Sequence, residues 1–272
     1  MPELPEVETT RRGLAPHLVN QRIRSVIVRN RALRMRVPQK LDEYVAGATI
    51  RKVERRAKYL LIDCGTGTLI VHLGMSGRLW LVDADIEAGP HDHFDLVLEN
   101  GKTVRLRDPR RFGLVLWHRD GTPEHKLLAS IGPEPLSADF GGAWLYDITR
   151  NRSAAIKNVL MDSRVVAGVG NIYASEALFR ARINPKLEAR RLGRTRYDVL
   201  AQKIRETLQA AIEAGGSTLR DFVGGDGRAG YFQNEHLVYA RGGEPCRACG
   251  TTIRELRQGQ RSTFYCPVCQ RR

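Results

Sequence analysis

The chain has 272 residues, 42% of them hydrophobic, and a formal charge of +14 from 44 lysines and arginines against 30 acids. That length admits two domains with real cores, and that apolar content excludes a disordered chain. The basic surplus calls for a polyanionic partner, nucleic acid or an acidic membrane surface, while the absence of a long apolar run or a signal pattern leads us to expect a soluble, cytoplasmic protein without a membrane partner.

In chain order, Pro5–Leu14 reads as a short helix, with Glu6 and Glu8 near its start and Arg11 and Arg12 near its end, an order that suits the helix dipole. Strand-like runs follow at Ile23–Arg29, Thr49–Val53, Tyr59–Asp63, Leu69–His72 and Leu79–Val82. Phe94–Leu98 and Thr103–Leu106 flank Asn100-Gly101, a two-residue hairpin signal, and Leu114–Trp117 is a further strand. The first 132 residues therefore read as mostly β, a sandwich or a barrel-like sheet. Gly132-Pro133-Glu134-Pro135 marks a linker, and the periodicity after it is helical. Thr195-x-x-Asp198 reads as a capping box ahead of Leu200, Ile204, Leu208 and Ile212, and Gly215-Gly216 stops that helix. The Gly-rich stretch from Gly224 to Gly230 is either a lid or a plain connector. No repeat, low-complexity tract or oligomerisation signal stands out, so a monomer is expected.

The chain closes with Cys246-x-x-Cys249, sixteen residues, then Cys266-x-x-Cys269. Two such knuckles bring four thiolates to one tetrahedron, and four-ligand closure points to a structural zinc ion over a catalytic one; two redox pairs or buried thiols are the alternative. Seven arginines (Arg241, Arg247, Arg254, Arg257, Arg261, Arg271 and Arg272) against only Glu244 and Glu255 suit a nucleic-acid-binding tip. The fifth cysteine, Cys64, ends an apolar segment and reads as a core thiol.

Other candidates are weaker alone. Removal of Met1 would expose Pro2 as a secondary amine, and an α-amino group is partly neutral near pH 7. Such an amine can attack a sugar C1′ and form an iminium, with Glu3 shuttling protons. Many proteins nevertheless begin Met-Pro without any such chemistry. The acid-free run from Arg22 to Lys40 reads as a phosphate-contacting or simply solvated face. Gly168-Val169-Gly170-Asn171 precedes a helical Ile172–Ala181, a turn that suits anion binding, with Asn171 as the expected cap. His72–Gly77 and Asp108–Gly113 are Gly-bounded turns after strands. Met75, Arg110 and Phe112 on them could fill the space of a displaced base, although by physics alone Met75 and Phe112 read as core.

Taken together, the N-terminal Pro-Glu-Leu-Pro-Glu-Val-Glu, Arg56-Ala57-Lys58-Tyr59-Leu60, His72–Gly77, Asp108–Gly113, Gly168–Glu176 and the terminal cysteine pattern resemble formamidopyrimidine-DNA glycosylase, in order from residue 2 to residue 269. The resemblance implies an α+β multidomain fold. Its parts would be an N-terminal catalytic β-sandwich with a short N-terminal helix (1–132), a linker (133–150), a helical helix–two-turns–helix domain (151–237) and a zinc finger (238–272), with DNA in the cleft between domains.

It further implies a bifunctional base-excision enzyme. The enzyme would remove oxidised purines such as 8-oxoguanine and formamidopyrimidines from duplex DNA, then cut the strand by β,δ-elimination at the abasic site. In that reading Pro2 is the nucleophile and Glu3 the general acid/base. Lys58 assists elimination, and Arg261 serves δ-elimination and the phosphates beside the lesion. Glu6, His72, Met75, His91, Arg110, Phe112, Asn171, Lys157 and, more loosely, Arg152 match DNA-contacting positions. The segment near Thr218–Tyr231 corresponds to a loop closing over an everted purine. One structural zinc ion and damaged double-stranded DNA, with nucleoid association through it, complete the expectation. The rivals are an endonuclease VIII-like glycosylase for oxidised pyrimidines and a non-catalytic zinc-finger DNA-binding protein.

Overall fold

The computed structural model describes residues 1–122, 124–217 and 231–271. The lid or connector expected between Gly224 and Gly230 lies outside the described residues. Backbone contacts divide the chain into one unit of residues 1–128 with 214–231 and a second of residues 129–213 with 232–272.

The first unit opens with helix α1 (Leu4–Leu18), then strand β1 (Ile23–Val28), helix α2 (Leu41–Val45) and strands β2 (Lys52–Arg56), β3 (Tyr59–Asp63), β4 (Gly67–His72), β5 (Arg78–Asp83), β6 (Asp92–Leu98), β7 (Lys102–Arg107) and β8 (Leu114–Arg119), with a short α3 (Lys126–Ala129) after them. The strands form two antiparallel four-stranded sheets, in the orders β1-β6-β7-β5 and β2-β3-β4-β8. Their inner faces share one core with α1: Leu14, Leu18, Ile23, Leu60, Leu69, Leu96 and Leu106 are fully buried in it. This is the expected sandwich.

The structure differs from three local expectations. Helix α1 runs on to Leu18 because Leu14 and Leu18 continue its buried stripe. Thr49 makes only an isolated bridge to Arg22, and the strand starts at Lys52. The basic Arg22–Lys40 run is partly consumed inside the fold: Arg29 meets Asp95 at 2.7 Å, Arg31 donates to the Pro38 carbonyl and Arg22 to the Gly47 carbonyl. Strand β6 is buried along its whole length, so its acids need partners. Arg105 pairs with Asp95, and Arg107 takes both oxygens of Asp92.

The second unit holds helices α4 (Gly142–Thr149), α5 (Ile156–Leu160), α6 (Asn171–Arg180) and α7 (Arg194–Glu213), then a hairpin of β9 (Arg254–Gln258) and β10 (Arg261–Tyr265). Helix α4 lies inside the 133–150 segment read as a linker. Leu145 is fully buried, the Trp144 indole N–H donates to the Val165 carbonyl at 2.8 Å, and Arg205 donates to the carbonyls of Pro135, Ser137 and Phe140. Helix α7 begins at Arg194, which puts Thr195 inside its first turn and leaves no Thr195-Asp198 capping box. It ends as expected: Gly215 and Gly216 both have positive φ, 75° and 81°.

Candidate active site and zinc centre

In the first unit, Pro2 and Glu3 lie buried at the head of α1. Glu3 is the N-cap and joins Glu6 in a capping box: the Glu6 carboxylate accepts the Glu3 backbone N–H at 2.8 Å. The other Glu6 oxygen accepts the Ser217 N–H at 2.8 Å. A Cβ on Gly216 would lie 3.1 Å from that oxygen, so glycine suits this approach. Glu6, expected at the DNA surface, is 2% exposed and ties the start of α1 to the backbone just before residue 218.

Lys58 sits in the two-residue turn of the β2–β3 hairpin, half-buried, after Ala57 in the left-handed region at φ 52°. A non-glycine residue there carries strain of about 1–2 kcal/mol, of the kind that collects at functional sites. Across the β3–β4 ladder Tyr59 faces His72, with ring centroids 4.9 Å apart. Burial pushes the His72 imidazole down to about 4, helped by the positive charges of Lys58 and Arg34. His72 is therefore neutral at pH 7, and its Nδ1 accepts the Gly74 N–H at 2.9 Å.

The two Gly-bounded turns are one assembly. The fully buried Asp108 carboxylate accepts the Ser76 hydroxyl at 2.9 Å and the Gly113 N–H at 2.7 Å. Gly74 has φ 65°, and a Cβ on it would run into the Phe112 backbone. Met75 and Phe112 are 38% and 43% exposed, which corrects the core reading. The Arg110 guanidinium stacks 4.8 Å from the Phe112 ring centre, a cation–π contact. His91 is exposed beside this assembly, its carbonyl accepting the Asp108 N–H. The role of Asp108 was missed in sequence; its only signal is an acid directly before Pro109 at the mouth of a turn.

In the second unit, Gly170 caps α6 and Asn171 is its first residue, so Asn171 is not the cap. Its side-chain N–H donates instead to the Ser262 carbonyl at 3.1 Å. Lys157 is also corrected: it is fully buried, and its ammonium donates to the same carbonyl at 2.9 Å and to Thr263 Oγ1 at 2.7 Å. These contacts seat the β9–β10 hairpin, whose turn residues Gly259 and Gln260 both have positive φ and present an exposed Arg261. Arg152 is held by Asp162 at 3.0 Å. That carboxyl is pulled down to about 2, first by Arg164, against burial, and then by Arg152. The Glu176 carboxylate accepts the backbone N–H groups of Leu237, Val238 and Tyr239, anchoring the chain that leads to the finger.

The four finger cysteines have sulfurs all within 4.8 Å of one another, with Cys249–Cys266 at 3.5 Å and Cys246–Cys269 at 4.0 Å. A tetrahedral zinc with Zn–S near 2.3 Å separates its sulfurs by about 3.8 Å, so Cys246, Cys249, Cys266 and Cys269 fit one structural zinc ion. Backbone N–H groups of Ala248 and Cys269 point at the sulfurs of Cys246 and Cys266, each at 3.4 Å. Cys64 lies apart, its thiol pushed up to about 12 by burial, and is inert packing.

A β-sandwich with a buried proline–glutamate pair at its helical head, and a helical unit bearing a four-cysteine finger, define a zinc-finger protein of the kind that engages nucleic acid. Three family models match in succession: the formamidopyrimidine-DNA glycosylase N-terminal domain over residues 1–115, its H2TH domain over 131–223, and the zinc finger found in FPG and IleRS over 243–272. The formamidopyrimidine-DNA glycosylase of Stutzerimonas stutzeri is 59% identical over 271 residues, and that of Janthinobacterium sp. 58% over 274, each covering all of both chains. Among solved structures, the MutM (Fpg) protein of Thermus thermophilus matches with a TM-score of 0.89 at 42% identity, over 99% of this chain and 98% of that one. Lactococcus lactis Fpg in complex with DNA containing N7-benzyl-Fapy-dG matches with a TM-score of 0.92 at 36% identity over the whole of both chains. The chain belongs to the formamidopyrimidine-DNA glycosylase family. No helix among the described residues is long and apolar enough to cross a membrane.

Proposed function

We propose that this protein removes oxidised purines, 8-oxoguanine and formamidopyrimidines, from double-stranded DNA and then cuts the strand at the abasic site, as the glycosylase and lyase of base-excision repair. The observation that carries the reading is the buried Pro2–Glu3 pair at the head of α1, held by Glu6, in a chain related to these enzymes along its full length.

A purine C1′ is shielded in the duplex, so the nucleotide must be turned out, at a cost of a few kcal/mol. Exposed Met75, Arg110 and Phe112 are suited to fill the vacated space and meet the orphaned base. With Met1 removed, the Pro2 nitrogen attacks C1′. The glycosidic bond breaks, its electron pair leaves with the base, and Glu3 moves the proton. The C1′–O4′ bond then breaks, opening the sugar ring as O4′ takes a proton, and the resulting iminium draws electrons from C1′, so the C2′ proton is lost and the 3′ phosphate departs. A second elimination expels the 5′ phosphate, and water hydrolyses the imine to release the protein. Lys58 assists the elimination, and Arg261 at the finger tip serves the second elimination and the flanking phosphates. Asn171, His91, Arg110, His72 and Arg152 border or position the DNA-contacting surface, while Lys157 acts by seating the hairpin. The zinc ion, held by the four cysteines, supplies fold and no chemistry. The protein works as a cytoplasmic monomer, associated with the nucleoid through its DNA.

The test is a nicking assay on an 8-oxoguanine:cytosine duplex beside a matched thymine glycol duplex, with borohydride added to reduce any imine. Nicking of the purine substrate and a covalent adduct through Pro2 are expected. Preference for thymine glycol would make this a pyrimidine enzyme, and equal crosslinking by an N-terminally blocked form would remove Pro2 as nucleophile.

A further inference from the structure

At the base of the finger, a pocket of about 610 Å³ is lined by Arg182, Arg196 and Arg271, with Val268, Ala248 and two of the zinc-site cysteines between them. No acid lines it. Several other arginines of this unit have carboxylate partners (Arg152 and Arg164 share Asp162, Arg190 meets Glu188 and Arg241 meets Glu244), whereas Arg150 and Arg205 donate to carbonyls. The three pocket arginines have none among the described residues. Arg196 donates to the Arg182 carbonyl at 3.2 Å and Arg271 to the Val268 carbonyl at 3.2 Å, contacts that orient the side chains without pairing them with a carboxylate. Val268 is 43% exposed, an apolar side chain on the pocket wall.

Within its own unit, the pocket lies apart from Asn171 and Arg261, two of the residues assigned to DNA. Arg182 follows the C-terminal end of the ten-residue α6, whose first residue is Asn171, and a helix of that length spans about 15 Å. Val268 and Arg271 lie beyond the five-residue β10 from Arg261, a strand length of about 16 Å. Convergent guanidiniums recognise carboxylates by paired hydrogen bonds. A concave site that also offers an exposed valine gives an apolar side chain a place that a phosphodiester cannot use.

We propose that this pocket is a docking site for an acidic peptide segment of a partner protein, one carrying carboxylates beside an apolar residue, and that it lies outside the DNA-binding surface. A zinc ion held by four thiolates would carry net negative charge beside Cys249 and Cys269, so the ligand would place its carboxylates on the arginines and its apolar group over Val268.

The experiment titrates a fluorescein-labelled decapeptide of alternating aspartate and leucine into the full zinc-loaded chain, followed by anisotropy, with a lysine/leucine peptide as control. Arg182→Gln/Arg196→Gln should weaken binding at least tenfold, while Arg261→Gln should not, and nicking of lesion DNA should persist in the double variant. Val268→Asp, which keeps every arginine, should give a similar loss with zinc content unchanged by a colorimetric chelator. The proposal is overturned if Val268→Asp binds the acidic peptide as well as the parent. It is equally overturned if the double variant does so, or if undamaged duplex DNA displaces the peptide one for one, which would make the pocket a nucleic-acid surface.

Discussion

The Lys157 ammonium lies 2.7 Å from Thr263 Oγ1, and both residues are fully buried. A cation kept from water in this way must be repaid by its hydrogen bonds, here to Thr263 and to the Ser262 carbonyl. The same carbonyl accepts from Asn171, so α5 and α6 jointly fix the strand that starts at Arg261. The position of the finger tip is thus set from beneath by a lysine that contacts backbone.

Removing that seat should separate cleavage from zinc binding. Lys157→Met keeps the length and deletes the charge-assisted bonds, each worth about 1.5–3 kcal/mol. Stability in urea should fall by an amount of that order, and affinity for lesion DNA should fall with it, while zinc content stays at one per chain. Unchanged DNA affinity in the variant would show that the hairpin is held by other contacts.

Zinc removal should act on the fold of the finger. Its core is small: Cys246, Ile253, Phe264 and Cys266 pack with Val238 and with Phe179 of α6, and two of these six residues are ligands. Small domains of that size draw their folding energy from the metal. Cys266→Ser, or stripping with a strong chelator, should abolish lesion-DNA binding and nicking. The thermal transition of the sandwich, read through its tryptophans Trp80 and Trp117, should remain.

Ala57 offers a test of strain. Its φ of 52° is a region that glycine occupies without penalty. Ala57→Gly should raise stability by roughly 1 kcal/mol, and by freeing the turn should let Lys58 wander, so that strand cleavage falls several-fold at an abasic site. A variant that gains stability and loses no lyase rate would show that the strained turn has no part in presenting Lys58.

The sandwich was legible because its strands alternate or run apolar between clear turn signals, and the finger because four cysteines at fixed spacing admit few arrangements. Helix α4 was not legible: its Gly142-Ala143-Trp144 start lacks a capping side chain, and it is held by Trp144 and Arg205 through contacts distant in sequence. The cap of α6 was misplaced by one residue because Asn171 is a strong capping type, yet here its side chain is drawn to Ser262. Met75 and Phe112 read as core on hydrophobicity alone. Their exposure depends on Asp108 and Gly74 holding two turns together, and no local pattern encodes that. Motif identity pointed to Lys157, but only the three-dimensional contacts reveal it as an internal tether.

His72 predicts a pH dependence of stability. In the unfolded chain its imidazole titrates near 6.5, whereas in the fold burial, with Lys58 and Arg34 nearby, lowers it to about 4. Below 6.5 the unfolded state therefore binds a proton that the folded state refuses, and stability rises with pH across this window. The contribution is fully present above 6.5 and is lost as pH falls toward 4, an amount of order 3 kcal/mol by the shift. His72→Gln keeps an acceptor for the Gly74 N–H and does not titrate. Plotted against pH from 4 to 7, the urea midpoint of the parent should fall more steeply toward acid than that of the variant. Parallel curves would mean that His72 is solvated enough to titrate normally, and that the Tyr59–His72 pair is not a dry support for the Met75 turn.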